Sequence, residues 1–205
     1  MAKEKLSFDA LRQYLPDHTY ELVMPLIQQH KVHLTITRER QTKLGDYRNA
    51  HGGRNHRISV NGNHNKFSFL ITLLHELAHL LAYEQYGNRI QAHGREWKTL
   101  YGGVLKDFLQ YHIFPADITK ELQASLHNPA ASSCAEEGLQ RALMHYDKRR
   151  PGVKRIEEIA PGKHFIIANG RSFAKGEIIR KRYKCTELAT GKMYLFSPVY
   201  EVMEI

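Results

Sequence analysis

"LLHELAHLLAYEQYGNRIQAHGREW", residues 73–97, sets three histidines and a glutamate into a stretch otherwise patterned as a core helix. From residue 67 to about residue 86 the apolar positions follow the helical period, and Phe69, Leu70, Leu73, Leu74, Leu77, Leu80 and Leu81 cover more than one face. A surface helix carries one apolar stripe, so this one is expected to run through the core, with Gly87 as its stop. Burying two imidazoles and a carboxylate there is costly unless each is paired or bound to a metal.

His75 and His79 are four residues apart, so on a helix both rings project from one face and can take neighbouring positions on one metal ion. Glu76 lies beside them, within reach of a water on that ion without being a ligand. A zinc hydrolase needs this arrangement: zinc brings the pKa of its water towards about 7, and a carboxylate takes the proton as a carbonyl is attacked. A third protein ligand is then required. His93 is the first candidate, because it follows the Gly87 stop and precedes Gly94, where the chain can turn back. Glu84 and the loop residues His51, His56 and His64 are rival donors, and two hydrogen-bonded core histidines beside a surface glutamate are the alternative to any metal.

Outward from this helix, residues 8–15 and a segment starting near Asp17 read as two leading helices, the first capped by Ser7, the second kinked or ended at Pro25. "VHLTITRER", "TKLGDYRN" and "HRISVN" then alternate with period two and predict a small antiparallel sheet. After the central helix, "GREWKTLYGGVLKDFLQYH" predicts another, weakened or closely packed at Gly102 and Gly103, followed by shorter helices near residues 118–126 and 135–146. Beyond "DKRRPGVKR", four or five short strands separated by glycine turns predict a small all-β module. The expected division is 1–130, a helix and basic linker at 131–152, and the β module at 153–205.

With 205 residues and 42% apolar composition the chain can bury a real core. No export signal or membrane span is visible, and Cys134 and Cys185, alone and far apart, do not form a disulfide framework. A cytoplasmic protein, monomeric and off the membrane, is expected. The net charge of +9 is concentrated in residues 148–205, with 13 Lys/Arg against 6 Asp/Glu. A clustered positive field attracts polyanions. Arg180, Lys181, Arg182 and Lys184 surround Tyr183, a basic stripe with an aromatic suited to a phosphate backbone and a stacked base, and Arg149 and Arg150 add a second cluster. DNA, single-stranded or bound without sequence preference, is the expected partner, with RNA as a second possibility.

"HELAH", with "AHGREW" fourteen residues after its second histidine, resembles the SprT-like metallopeptidases, which are related to the Spartan-type proteases that cleave DNA–protein crosslinks. The resemblance covers about residues 5–126. It implies an α+β, zincin-like helical domain with one zinc ion on His75, His79 and His93, Glu76 as catalytic base, and Trp97 packed behind the third ligand. The tail departs from it: bacterial SprT proteins usually end in a zinc ribbon with paired C-x-x-C motifs, whereas "YKCTELATGKMYLF" keeps one cysteine. A second zinc is therefore not expected, and Phe165, Ile167, Phe173, Ile178, Tyr194, Phe196 and Val202 are the side chains available to pack the module instead. The implied activity is endopeptidase action on proteins bound to or near nucleic acid, with the substrate extended along the sheet near "HRISVN" and an oxyanion donor among Tyr101, Tyr111 and Arg95. A nucleic-acid-binding or regulatory protein with a structural or vestigial zinc site is the other class the residues allow.

Overall fold

The computed structural model describes residues 8–40, 42–148 and 151–205. They divide into two compact units, with the chain boundary between Asp147 and Lys148. The architecture is α+β.

The first unit opens with a 3-10 helix, Phe8–Tyr14, and α1, Tyr20–Gln29, which runs through Pro25 and buries Val23, Met24 and Ile27. The Ser7 cap lies outside the described residues. Three short strands follow: β1 (His33–Thr37), β2 (Gly45–Arg48) and β3 (Arg57–Asn61). Their order is β1-β3-β2, and β1 pairs parallel to β3 while β2 pairs antiparallel to it, so the sheet is mixed rather than purely antiparallel. The chain leaves β1 and crosses to the far side before returning to the centre. Arg40 ties that crossover down, donating from Nε to Asn61 Oδ1 (2.8 Å) and from a guanidinium nitrogen to Ser59 Oγ (3.0 Å). Ile58 and Val60 alternate inward, and Arg57 and Ser59 fall on the other face.

The inner face packs on α2, Lys66–Tyr86, which is buried around most of its circumference as its leucines require. Asn65 caps it by accepting from the Ser68 N–H at 2.9 Å, and Gly87 at φ +63° stops it. α3 (Arg95–Leu109) lies against α2, and α4 (Ala116–Ser125) and α5 (Glu137–Met144) complete the unit. Gly102 is the tight glycine, because a β-carbon there would run into the Leu126 carbonyl, whereas Gly103 faces open space. α5, read in the sequence as part of a connector, sinks Leu139, Ala142 and Leu143 into the same core as α2.

The second unit is an antiparallel six-stranded sheet in the order β4-β9-β5-β6-β7-β8. Its strands are β4 (Val153–Arg155), β5 (His164–Ile166), β6 (Ser172–Ile179), β7 (Arg182–Glu187), β8 (Met193–Phe196) and β9 (Glu201–Glu204). It encloses its own core of Ile156, Ile159, Phe165, Ile167, Phe173, Cys185 and Val202, with Tyr183, Tyr194 and Phe196 against it. Ile178 does not join this core and is 54% exposed, because the β6–β7 register shifts between Lys175 and Ile178. No helix among the described residues is long and apolar enough to cross a membrane.

Candidate metal centre

The buried length of α2 delivers His75, Glu76 and His79 to one side of the first unit; His75 and Glu76 are only 4% and 5% exposed. His93 arrives from the turn before α3, beside Gly94, whose extended backbone starts that helix. One nitrogen from each of His75, His79 and His93 lies within 4.8 Å of the other two, a set that could hold a metal ion. His79 Nε2 and His93 Nε2 are 3.0 Å apart. His75 Nδ1 is buried with no hydrogen-bond partner among the described residues. An orphaned imidazole nitrogen normally costs 1–3 kcal/mol, roughly, and a ligated ion is one way to remove that cost.

Burial depresses the basicity of these rings. The His75 pKa falls to about 3, from desolvation first and then from His79 and His93. His79 falls to about 4 by desolvation and the neighbouring His93, and His93 is lowered by desolvation and Lys98. All three are therefore neutral near pH 7 and keep the lone pairs a cation needs. Glu76 moves the other way, to about 8, because burial and the charge of Asp46 outweigh Arg40, Lys43 and the Tyr47 backbone. A carboxylate poised near neutral pH suits proton transfer.

Trp97 is the platform beneath the histidines. Fully buried on α3, it touches all three rings, with centroid distances of 4.7 Å to His75, 5.1 Å to His79 and 4.8 Å to His93. Tyr101, one turn on, packs against His75 at 5.3 Å and is itself buried, so it backs the site. Of the other two donors considered from the sequence, Tyr111 is 58% exposed in a separate groove with Leu22 and Leu81, and Arg95 is exposed at the start of α3. Neither borders the cleft.

The imidazoles and Glu76 border a cavity of about 540 Å³ whose other walls are residues 42–47, Ala92 and residues 131–133. Two of these wall residues were not legible as site residues. Gly45 of β2 abuts Glu76, and Tyr47 lays its ring parallel to His79 at 6.3 Å. The Tyr47 hydroxyl is 2.8 Å from His56 Nδ1, and His56 Nε2 is 3.8 Å from Glu84, whose other oxygen is 2.8 Å from His30 Nδ1. Glu84 and His56 thus form a polar chain behind Tyr47 and stand apart from the three clustered histidines. His51 bridges Arg54 in its loop, and His64 is partly buried with its Nε2 unpartnered.

In the second unit Arg180 and Lys181 form the β6–β7 turn, Arg180 at φ +57°, and Arg182 and Lys184 follow on β7. Tyr183 alternates to the other face. It is partly buried and packs against the core, with Lys175 Nζ 4.1 Å above its ring. Arg149 and Arg150 lie outside the described residues.

A core helix bearing H-E-x-x-H, joined by one histidine from the turn before α3 beside a cleft, defines a candidate metal site of three imidazoles among the described residues. The chain belongs to the SprT-like family, which it matches over residues 12–115, just over half its length. It is also similar to Protein SprT of Pseudomonas putida, 54% identical over 33 residues, which are 16% of this chain and 20% of that protein. The Protein SprT sequences of Pseudomonas entomophila and Pseudomonas fluorescens are each 52% identical over 33 residues, with the same coverage. The match thus spans about a fifth of the length of these relatives.

Proposed function

We propose that the chain is a zinc-dependent endopeptidase of the SprT-like type that hydrolyses proteins bound to or near nucleic acid in the cytoplasm. The observation that supports it most is the placement of Glu76 beside three neutral, converging imidazoles on an accessible cleft. The donor set fits zinc, which takes nitrogen ligands and in catalytic sites keeps three protein ligands and one open position. Held by His75, His79 and His93, the ion would supply Lewis acidity to a carbonyl and acidify a water. Glu76 would accept the proton of the attacking water and return it to the leaving amine.

β3 is the central strand, so a substrate cannot add along "HRISVN" as the sequence reading expected. β2 is an edge strand, and its residues 45–47 line the cleft. An extended peptide paired with β2 would run past Glu76. Three ligands facing a cleft also favour a working site over a structural one, which closes with four.

For nucleic acid, Arg180, Lys181, Arg182 and Lys184 of the second unit supply a charge-based contact. The two buried free cysteines suit a reducing compartment. The test is cleavage of an unfolded protein and of a DNA-bound protein, with and without single-stranded DNA, read by mass spectrometry. Wild type should yield peptides and Glu76→Gln none. A zinc-loaded wild type that cuts neither substrate would favour the regulatory, nucleic-acid-binding reading.

A further inference from the structure

The outer face of the small sheet carries a charge pattern that the net count hides. Residues 1–147 hold 17 Lys/Arg and 15 Asp/Glu, yet residues 31–66 alone hold 8 against 2. Strand pairing sorts several of these cations onto one face. His33 of β1 is paired with Arg57 of β3, and Arg57 in turn with Arg48 of β2, so the three lie in a row across all three strands. Thr35, Ser59 and Asp46 form the next row. Together with Arg40 these side chains line a depression of about 260 Å³.

The arginines there are not equally committed. Arg40 is spent on Asn61, Ser59 and the Leu44 carbonyl. Arg48 reaches Asp46 at 3.0 Å, but Asp46, the one carboxylate lining the depression, is shared with Lys43 at 2.7 Å. Arg57 has no carboxylate within ion-pair distance among the described residues, and its Nε is buried without a hydrogen-bond partner. A guanidinium with no carboxylate of its own, in a hollow lined by further cations and by hydroxyls, is available to an anionic ligand.

We propose that this face is a second nucleic-acid contact, taking the phosphodiester backbone of one strand along the row His33, Arg57 and Arg48. Arginine forks match phosphate oxygens, serine and threonine hydroxyls add donors, and none of these contacts reads base identity. β2 is the shared wall: Asp46 borders both this hollow and the metal cleft, whereas Tyr47 turns to the cleft alone. A strand bound here lies across β2 from the metal cleft, which brings proteins attached to that strand towards the cleft. That purpose rests on the proposed peptidase reading, but the binding does not.

The test is fluorescence anisotropy of the full-length protein with a labelled single-stranded oligodeoxynucleotide over a salt series. The Arg48→Gln/Arg57→Gln pair is compared with wild type, with Arg48→Lys/Arg57→Lys, and in an Arg182→Gln/Lys184→Gln background. Losing two phosphate contacts should flatten the log–log salt slope by about 1.4, which is about 25-fold in affinity near 0.1 M salt. The lysine pair should keep most of the affinity, the loss should persist in the second background, and an uncharged methylphosphonate strand should show none of it. Unchanged affinity and slope in the glutamine pair, or equal losses in the glutamine and lysine pairs, would overturn the proposal. So would a loss confined to a poly-glutamate peptide, which would assign the face to an acidic protein. Neither zinc nor cleavage is read, so failure here leaves the peptidase reading standing.

Discussion

Gly45 on β2 lies so close to Glu76 on α2 that a β-carbon at Gly45 would sit 2.8 Å from Glu76 Cγ and press on its Oε1. The same carbon would also meet Thr72 Cγ2 at 2.8 Å. The glycine is not needed for backbone conformation, since its φ is not positive, so its role is the space it leaves. Gly45→Ala must push the Glu76 carboxylate aside or lift β2 from α2. Displacing a proton-transfer group by about 1 Å costs on the order of 10²-fold in rate. Cleavage by Gly45→Ala should drop by about that factor while zinc content stays at the wild-type level; a variant with unchanged kcat would show that Glu76 does not need this seat.

Trp97 is the single tryptophan of the chain and touches all three histidine rings. Its emission should therefore report metal binding directly. Adding zinc to protein stripped by a chelator should change the fluorescence and saturate at one equivalent. In His93→Ala the change should weaken and lose its sharp end point. Trp97→Ala, which empties a fully buried site, should cost about 3–5 kcal/mol of stability.

Metal-free protein should show a pH signature of its own. The folded-state pKa of Glu76, about 8, lies above its ordinary 4.5, so its contribution to stability is complete below pH 4.5 and is lost as pH rises through 8. His75 and His79, at about 3 and 4, lie below their ordinary 6.5, so theirs is complete above pH 6.5 and is lost as pH falls through those values. Melting curves of stripped wild type and Glu76→Gln should coincide near pH 4 and separate by several degrees at pH 8.5, with wild type the less stable. Parallel curves across this range would mean that Glu76 is not held in a desolvated seat.

On β7 the charges and the aromatic should separate by experiment. Arg182→Gln/Lys184→Gln should weaken binding of a single-stranded oligonucleotide and flatten its salt slope by about 1.4. Tyr183→Leu, whose ring faces the core under Lys175, should leave both quantities nearly unchanged while lowering the melting temperature. Loss of affinity in Tyr183→Leu at unchanged melting temperature would assign the ring a stacking role instead.

What the residue string disclosed was what lies within a turn or two of chain. The spacing of His75, Glu76 and His79, the stop at Gly87 and the return at His93 are local, and the leucine pattern states that the helix is buried. The strand order was hidden because the crossover between β1 and β2 is fixed by Arg40 reaching residues 59 and 61, a contact between distant positions. Gly45 and Tyr47 were missed for the same reason: they matter only because β2 lands beside α2. Alternation on β7 separated Tyr183 from Arg182 and Lys184, but alternation cannot say which set faces inward when both carry polar groups. The basic outer face of the first sheet disappeared into a nearly balanced sum.

The most direct measurement of the central claim is zinc per chain by inductively coupled plasma mass spectrometry, on wild type, Glu76→Gln and His93→Ala purified in parallel. Three imidazoles holding one ion, with Glu76 beside it rather than on it, require about one zinc per chain in wild type and Glu76→Gln and a small fraction of that in His93→Ala. A full equivalent retained by His93→Ala, or a wild type that binds none, would contradict the account.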